Sequence, residues 1–477
     1  MTAPRPRGRV RDLFLRCLGA LTAIAFASLW VQLPLLLGSR GLSPACEVAP
    51  RALSLLRFGC SDALLAATAA GGVLAGLGIL LGLAPRLLLP VAWLLYLSLA
   101  TVGGDFLSFQ WDNLLLETLA FALLVAPRGW RPRGAPSPHP VGVFLMQWLC
   151  FRLHVESGAA KLLLGDPGWR DLTAMIAYWE TAPLPTWLGW WAHQLPETAQ
   201  KGFAAATYVV ELGVPFLLFG PRLLRPLGFL LLAGFQLGVA ATANYGFFNW
   251  LSLATCLWLL DDDHLAWLAA RAGRPFVPAA PRAPQPLATA AYATLALVVV
   301  PLSLLPFSRF VGPLPAWAAP LVPVYRLVAP LRSLNAYHLF ASMTYVRDEV
   351  VLEGSDDGVT WREYEWRWKP GDPARAPAFV QPHQPRADFQ AWFLLLGARR
   401  GAPWFDTLLG RMLADPAAVA SLWAHDPFDG RAPAQLRVAV YRYRFTDRAT
   451  RAATGRWWER TLEGTTTPRH RADPPPG

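Results

Sequence analysis

Charged side chains are scarce in this sequence. Asp, Glu, Lys and Arg make up 16% of its 477 residues, whereas hydrophobic residues make up 54% and aromatic residues 12%. Soluble domains carry about 25% charged residues, and disordered chains lack apolar and aromatic side chains, so most of this chain fits neither class. The composition favours an integral membrane protein.

The excess of positive charge does not have the distribution that nucleic-acid binding requires. The chain has 43 Lys and Arg against 32 Asp and Glu, a formal net charge of +11. The basic residues lie in short loops between apolar runs rather than along one stripe, which is typical of membrane topology. We therefore expect the lipid bilayer as a partner and no nucleic acid. A preference for Arg, Ala and Pro over Lys, Asn and Ile favours a bacterial source.

Cysteine is also rare, and five residues are too few for a disulfide framework. Cys17, Cys150 and Cys256 fall inside apolar runs, where small buried residues are common. Cys46 and Cys60 lie in one polar loop. They pair if that loop faces an oxidising compartment, and two unrelated thiols are an equally open alternative.

The common catalytic signatures are missing. The sequence has no phosphate-binding glycine loop, no metal-spaced set of Cys or His, no Gly-x-Ser-x-Gly elbow and no Cys-x-x-Cys. We therefore expect no metal and no cofactor. His338, His383 and His425 are scattered, and isolated histidines are usually structural.

Long apolar runs predict a multipass helical domain over residues 1–306. About nine runs are candidate spans, several of them short or polar. They cover residues 18–37, 63–84, 87–102, 106–125, 141–164, 202–219, 227–241, 247–260 and 288–305. Basic loops at 128–133, 222–225 and 271–282 fall on the side of the N-terminus, which the positive-inside rule makes cytoplasmic. An odd number of crossings then places the rest of the chain on the opposite side.

Residues 307–463 predict a soluble, β-rich α+β domain. A strand, an Asp-Gly turn and a second strand are expected within 349–372, and a further alternating strand within 436–445. Spacings of three and four predict helices at 389–396 and 404–413. The turn EGSDDGVTW is similar to that of discoidin-type β-sandwiches, although a plain hairpin explains it equally. Residues 464–477 are expected to be a disordered tail.

The most informative residues are charged or polar groups inside apolar runs, where they must face protein or water. They are Asp112, Glu117, Arg152, His154, Glu156, Lys161 and Glu211. Arg152 and Glu156 are four apart and share a helix face, whereas Lys161 is placed to pair with another helix. A packing network and a functional site are both open. The Trp-rich segment 165–196 fits a membrane interface, and a lid or a partner surface is the alternative.

Long blocks of the sequence resemble the lipase maturation factor family. They include FLSFQWDNLLLET, FRLHVESGAAKLLLGDPGWRDL, NYGFFNWLSLATCLWLLDD and EGSDDGVTWREYEWRWKPGD. The resemblance implies a multipass protein of the endoplasmic reticulum that assists folding of secreted homodimeric lipases, with its C-terminal domain in the lumen. It implies an exported, lipase-like client that contacts the domain after residue 306. For a bacterial chain, the equivalent location is the inner membrane with this domain in the periplasm.

A second, remote resemblance suggests a different function. The stretch SGAAKLLLGDPGW is similar to part of the membrane domain of vitamin K-dependent γ-carboxylase. This resemblance implies that Lys161 is a catalytic base acting on a lipid or quinone-like substrate, with Glu156, His154 and Asp112 as further candidates. A Lys in an apolar bundle has its charged form disfavoured, which suits that role. A non-enzymatic maturation factor is the leading hypothesis.

Overall fold

A helical bundle is followed by an antiparallel sheet domain in this protein. The computed structural model describes residues 5–132, 134–282, 285–396 and 402–471. Arg133, in one of the basic loops, and residues 472–477 of the expected tail lie outside the described residues.

Nine helices build the bundle in the described part of the chain. Their bounds are Gly8–Trp30 (α1), Asp62–Leu80 (α2), Pro85–Val102 (α3), Gln110–Val125 (α4), Pro140–Leu163 (α5), Glu197–Tyr208 (α6), Arg225–Thr242 (α7), Phe248–Cys256 (α8) and Pro286–Val311 (α9). Local sequence explains several of the starts. The Ser61 side chain caps α2 by accepting from the amide of Leu64, and proline occupies the first turn of α3, α5 and α9.

The expected count of about nine spans is not confirmed. Among the described residues, six helical segments are long and apolar enough to cross a membrane. They are Gly8–Trp30, Asp62–Leu80, Pro85–Val102, Glu197–Leu218, Arg222–Thr242 and Pro286–Val311. The expected runs on α4 and α5 carry buried charges, and α8 has nine residues, which is short for a span. The last span, α9, continues past the boundary expected at residue 306.

Contacts gather the helix ends into two groups. At the N-terminal end, the start of α1 meets the loop that precedes α5 and the segment between α8 and α9, and further contacts join the neighbouring loops. The contacts there join Arg9 to Asp262, Arg7 to Ser137, Ala84 to Trp130, Arg222 to Asp261 and His139 to Thr289. At the opposite end, which we call the sheet end, the helices meet the C-terminal domain. Consecutive bundle helices run in opposite directions between these two ends.

The C-terminal domain is built on one six-stranded antiparallel sheet. Its strands are Arg347–Ser355 (β1), Arg362–Trp366 (β2), Trp423–His425 (β3), Gln435–Phe445 (β4), Trp458–Thr465 (β5) and Arg469–His470 (β6). They are ordered β3-β2-β1-β4-β5, with β6 paired to β4. The structure contains the hairpin of β1 and β2, in which Leu352 faces Tyr364, and the strand expected at 436–445. A β-sandwich is not confirmed, because the strands of the described residues form a single sheet.

Helices complete this domain and bring it to the bundle. Arg386–Ala391, continued by a 3₁₀ turn over Trp392–Leu394, and Pro403–Ala414 lie close to where helices were expected. The disordered tail expected from residue 464 differs from the structure. Gly464 is the partner of Val440 in β5, and β6 pairs with Gln435 and Leu436, so the chain is ordered in the sheet as far as His470.

The Trp-rich segment packs against the sheet of the C-terminal domain. It folds into the short helices Ala174–Thr181 and Trp187–His193. Trp169, Trp179 and Trp190 are buried in one cluster with aromatic residues of β4 and β5. These three indole rings therefore serve domain packing, whereas Trp187 and Trp191 of the same segment are each 41% exposed.

Candidate functional site

All seven polar residues singled out within the apolar runs are buried, and they fall into three groups. Each group contains an ion pair, and each also contacts residues from the C-terminal third of the chain. Buried charges without partners are very costly, so the positions of these partners explain why the charges are tolerated.

The first group joins Asp112 of α4 to Arg386 of the C-terminal domain. Two nearly parallel hydrogen bonds, 2.7 and 3.0 Å long, run from the guanidinium of Arg386 to the carboxylate of Asp112. Tyr96 of α3 donates to the same carboxylate at 2.5 Å. Both members of the ion pair are fully buried, and the bidentate geometry is the strong form of this interaction.

The second group surrounds Arg152 of α5. Its guanidinium pairs with Glu117 of α4 and lies 3.6 Å from Glu156, one turn along α5. The two carboxylates are also held by the C-terminal chain. Glu117 accepts from the amide of Asn335 at 3.0 Å and from the Tyr337 hydroxyl at 2.8 Å, while Glu156 accepts from the Tyr337 amide at 2.9 Å.

The third group contains Lys161 and Glu211, whose charged atoms are 2.8 Å apart, together with His154, which lines the same cavity. Glu211 lies in a five-residue π-helix, Val209–Gly213, which continues α6. The π-helix lies where the segment approaches α5. Such π-helical turns inside α-helices are frequent at functional sites. Gly158 permits the approach, since a Cβ atom there would lie 2.9 Å from the Glu211 Cβ atom. The small size of Gly158 thus has a packing reason.

The second and third groups share one further partner, residues 333–343, which we call the clamped segment. It has no helix or strand, yet polar side chains of the bundle bind its backbone at several points. The amides of Asn335, Tyr337, His338 and Met343 donate to Glu117, Glu156, Gln110 and Asp166. The carbonyl oxygens of Asn335, Leu339 and Phe340 accept from Arg152, Lys161 and Trp169. The buried polar centre is therefore a groove that binds an extended peptide of the same chain.

A second extended stretch, residues 378–386, is bound at the sheet end of α1 and α7. Gln32 donates to the carbonyl of Gln384 at 2.8 Å and accepts from the amide of Arg386 at 2.9 Å. Asn244 accepts from the amide of Val380 at 2.8 Å. Gly246 adopts a positive φ of 56°, and a Cβ there would meet the Gln384 side chain at 2.5 Å.

Arg347 of β1 fixes the sheet to the Trp-rich segment. Its guanidinium donates to the carbonyls of Glu180, Ala182 and Pro183 at 2.5 to 2.9 Å. Glu349 pairs with Arg347 at 2.6 Å and with Lys369 at 2.7 Å. Burial lowers the pKa of Lys369, and the neighbouring Glu349 carboxylate opposes that shift.

Lys161 has no free lone pair in this arrangement. Its three ammonium protons have acceptors in Glu211, the Ser157 carbonyl at 3.2 Å and the Leu339 carbonyl at 3.0 Å. A catalytic base must reach a substrate proton in its neutral form. The geometry therefore favours a structural ammonium group over the base implied by the resemblance to the carboxylase.

Lys161 nevertheless lines a cavity of about 630 Å³ between α5, α6, α7 and the clamped segment. His154 and Glu211 line it as well, whereas Asp112, Glu117, Arg152 and Glu156 do not. The four candidates Lys161, Glu156, His154 and Asp112 are thus divided among the three groups and do not share one pocket. Within the described residues, no group of three or more His, Cys, Asp or Glu is placed to hold a metal ion.

Several residues of the site were not identified from the sequence. Arg386, Asn335 and Tyr337 lie in the C-terminal part, where polar side chains carry no signal of depth. Gln236 and Asn249 are buried in α7 and α8. An amide inside an apolar run could have marked the latter two, since buried amides in membrane helices bond to other helices.

Cys46 and Cys60 form a disulfide in the loop between α1 and α2. This loop lies at the sheet end of the bundle, where Arg40 also pairs with Asp415 of the C-terminal domain. Cys150 and Cys256 are buried free thiols, and Cys17 is half-buried.

Together, the fold and site define a polytopic membrane protein whose helical bundle binds its own C-terminal sheet domain through buried charged side chains. The Lipase maturation factor transmembrane domain matches residues 9–267, and the Lipase maturation factor C-terminal domain matches residues 333–468. The chain belongs to the lipase maturation factor family, which confirms the resemblance seen in its sequence. The second match begins at the first residue of the clamped segment.

Curated relatives are similar over nearly the whole chain. Lipase maturation factor 2 of Gallus gallus is 33% identical, with 95% of this chain and 80% of the relative covered. The human protein of the same name is also 33% identical, covering 94% of this chain and 81% of the relative. Lipase maturation factor 1 of Bos taurus is 32% identical, covering 95% and 87%. No solved structure matches this chain.

Proposed function

We propose that this protein is a membrane-bound maturation factor for exported, lipase-like client proteins. The observation that carries the proposal is the family match, which extends through both the bundle and the sheet domain. Relatives from several vertebrates carry the name lipase maturation factor, and they align with this chain over at least 80% of their own length. The function is one of binding and folding assistance rather than catalysis.

The client contacts the domain that follows residue 306, and the bundle holds that domain in a fixed position. The clamped segment, Arg386 and Arg347 support this division of roles, because each ties the sheet domain to the bundle by buried polar contacts. Among the described residues, β5 is the last strand at one edge of the sheet, and it is exposed along most of its length. A surface held rigidly beside a membrane can receive a chain that emerges there.

The chain crosses the membrane nine times, with the N-terminal end of the bundle in the cytoplasm. The alternating directions of the bundle helices support this topology, even for α4, α5 and α8, whose own apolar length is marginal. Two further features support the orientation. Arg residues crowd the N-terminal end, as the positive-inside rule requires, and the Cys46–Cys60 disulfide lies at the sheet end. The sheet domain is then in the lumen of the endoplasmic reticulum, or in the periplasm for a bacterial chain.

Single engineered cysteines test this orientation. We expect Val359→Cys, in an exposed turn of the sheet domain, to react with a membrane-impermeant maleimide applied to sealed vesicles whose outer face is the lumenal or periplasmic face. Arg274→Cys, on the N-terminal side, should react only after detergent is added. The unsubstituted chain controls for Cys17, Cys150 and Cys256. Labelling of Arg274→Cys alone in sealed vesicles would reverse the orientation.

Secretion of lipase tests the function itself. Deletion of the gene should lower the activity of lipase outside the cell without lowering lipase mRNA, because the client fails to reach its active fold. The full chain should restore this activity, and so should Arg431→Ala, which removes an exposed ion pair of the same domain. Arg386→Ala should not restore it. Unchanged extracellular lipase activity and an unchanged secreted proteome in the deletion strain would overturn the proposal.

A further inference from the structure

The cavity beside Lys161 has an apolar mouth and a polar inner end. Phe203 of α6 and Leu230 and Leu231 of α7 line it and are 46%, 65% and 41% exposed. These side chains lie on apolar helices that meet the spanning criteria, so in a bilayer they face acyl chains. The cavity therefore opens sideways, and a ligand can enter it from the lipid phase.

Hydrogen bonds at the inner end run in one direction. His154 Nδ1 donates to the carbonyl of Cys150 at 2.8 Å, so in the neutral imidazole the Nε2 atom is the acceptor for Gln236 Nε2 at 3.2 Å. The Oε1 atom of Gln236 accepts from Asn249 Nδ2 at 2.9 Å. This order fixes the orientation of both amides and leaves the Asn249 Oδ1 atom as the end of the chain.

Asn249 Oδ1 is buried and has no hydrogen-bond partner among the described residues. Asn249 is 2% exposed and lines the cavity, so this acceptor is available to a molecule bound there. A buried acceptor is costly when it is left unpaired. The Asn249 Oδ1 atom therefore favours a ligand group that donates a hydrogen bond.

The charges of the cavity wall exclude an anionic head group. Lys161 and Glu211 neutralise each other, and the Lys161 protons are all in use. A carboxylate or phosphate would find no free cation here and would face the oxygen of Asn249. The wall thus offers nothing to an anionic head group, and the hydroxyl of a neutral lipid supplies the donor that fits Asn249.

We infer that this cavity binds a membrane lipid alcohol, a neutral lipid whose hydroxyl donates to Asn249 Oδ1 while its apolar chain leaves between α6 and α7. Its volume lies within the range of about 300–1,000 Å³ that is usual for ligand sites. A glycerolipid such as diacylglycerol and an isoprenoid alcohol or quinol share this chemistry. The clamped residues Leu339 and Phe340 form part of the wall, so the bound lipid also contacts the segment that leads to the sheet domain.

Photolabelling of the purified full-length protein tests the inference without any client. A diacylglycerol with a diazirine in its chain should label residues of α6 or α7, and excess unlabelled diacylglycerol or quinol should compete. Whichever of the two competes better identifies the source of the ligand. The O-methyl ether of diacylglycerol should compete about tenfold less well, because it has lost the donor. Equal competition by the ether, or better competition by a free fatty acid, would overturn the inference.

Glycine substitutions supply matched variants. Gly238 of α7 lines the cavity, and a Cβ added there would meet nothing within 4 Å. Gly238→Leu should fill the opening and reduce labelling at least tenfold. Gly202 of α6 has equal free space but does not line the cavity, so Gly202→Leu should label as the unsubstituted chain does. Full labelling of a folded Gly238→Leu protein would contradict the site.

Discussion

Asp112→Ala is expected to destabilise the protein by about 3–5 kcal/mol, because it leaves the Arg386 guanidinium buried without its counter-ion. Both side chains are 0% exposed, so water cannot replace the lost partner. The pair links α4 to the C-terminal domain, and its loss should also release that domain from the bundle. The melting temperature in detergent and the rate of proteolysis within residues 312–346 measure the two effects.

The matched double variant separates charge from packing. Asp112→Leu combined with Arg386→Met removes both charges and should recover much of the lost stability, as apolar replacements of buried ion pairs often do. Asp356→Ala breaks an exposed pair with Arg431 and should leave the melting temperature unchanged. If Asp112→Ala behaved like Asp356→Ala, the pair would not hold the domain.

Lys161→Met is expected to destabilise the protein by about 3 kcal/mol or more, because Glu211 is left as a buried, unpaired carboxylate. Glu211→Leu alone should have a similar effect, and the double variant should be more stable than either single one. Thermal unfolding followed by Trp fluorescence measures this cycle. Lys201→Met, which breaks an exposed pair with Glu197, is the control and should change little.

This cycle also decides between the two roles of Lys161. A catalytic base would give a Lys161→Met protein that folds and melts normally and has lost its activity. The contacts of Lys161 instead predict lost stability that Glu211→Leu restores. A Lys161→Met variant with an unchanged melting temperature would therefore contradict the structural role.

Much of the fold could be predicted from the sequence because its signals are local. Alternating side chains and an Asp-Gly turn are sufficient for the hairpin of β1 and β2, and long apolar runs are sufficient for α1, α2 and α9. The spacing of Arg152 and Glu156 places them on one face of α5. The count of nine spans stays a prediction, because α4, α5 and α8 depend on packing against neighbours rather than on their own apolar length.

The site could be predicted only in part, because many of the groups that pair with its charged side chains are backbone amides and carbonyls. The sequence shows that Glu117, Glu156 and Lys161 need partners. It does not show which backbone groups pair with them, because every residue has a carbonyl and nearly every residue has an amide. The partners Asn335, Tyr337 and Leu339 belong to a segment without periodicity. The disordered tail was wrong as far as His470 for a related reason, since a two-residue strand depends on the edge that receives it.

The clamped segment explains why the bundle contains buried charges, which a simple membrane anchor would not need. Polar groups inside a membrane protein are usually functional or paired, and here they pair with the start of the sheet domain. The clamped segment, at the boundary between the two family domains, therefore connects the bundle to the sheet domain. Leu339 and Phe340 also line the lipid cavity, so binding of a lipid there can affect the sheet domain through the clamped segment.

Hydrogen–deuterium exchange of residues 333–343 in the full-length protein tests the clamp most directly. The amides of Asn335, Tyr337, His338 and Met343 lie outside helices and strands but donate to side chains of the bundle. We predict that they exchange as slowly as amides of the sheet, and that Glu156→Gln with Glu117→Gln accelerates their exchange. Exchange as fast as that of an exposed turn in the unsubstituted chain would contradict the account.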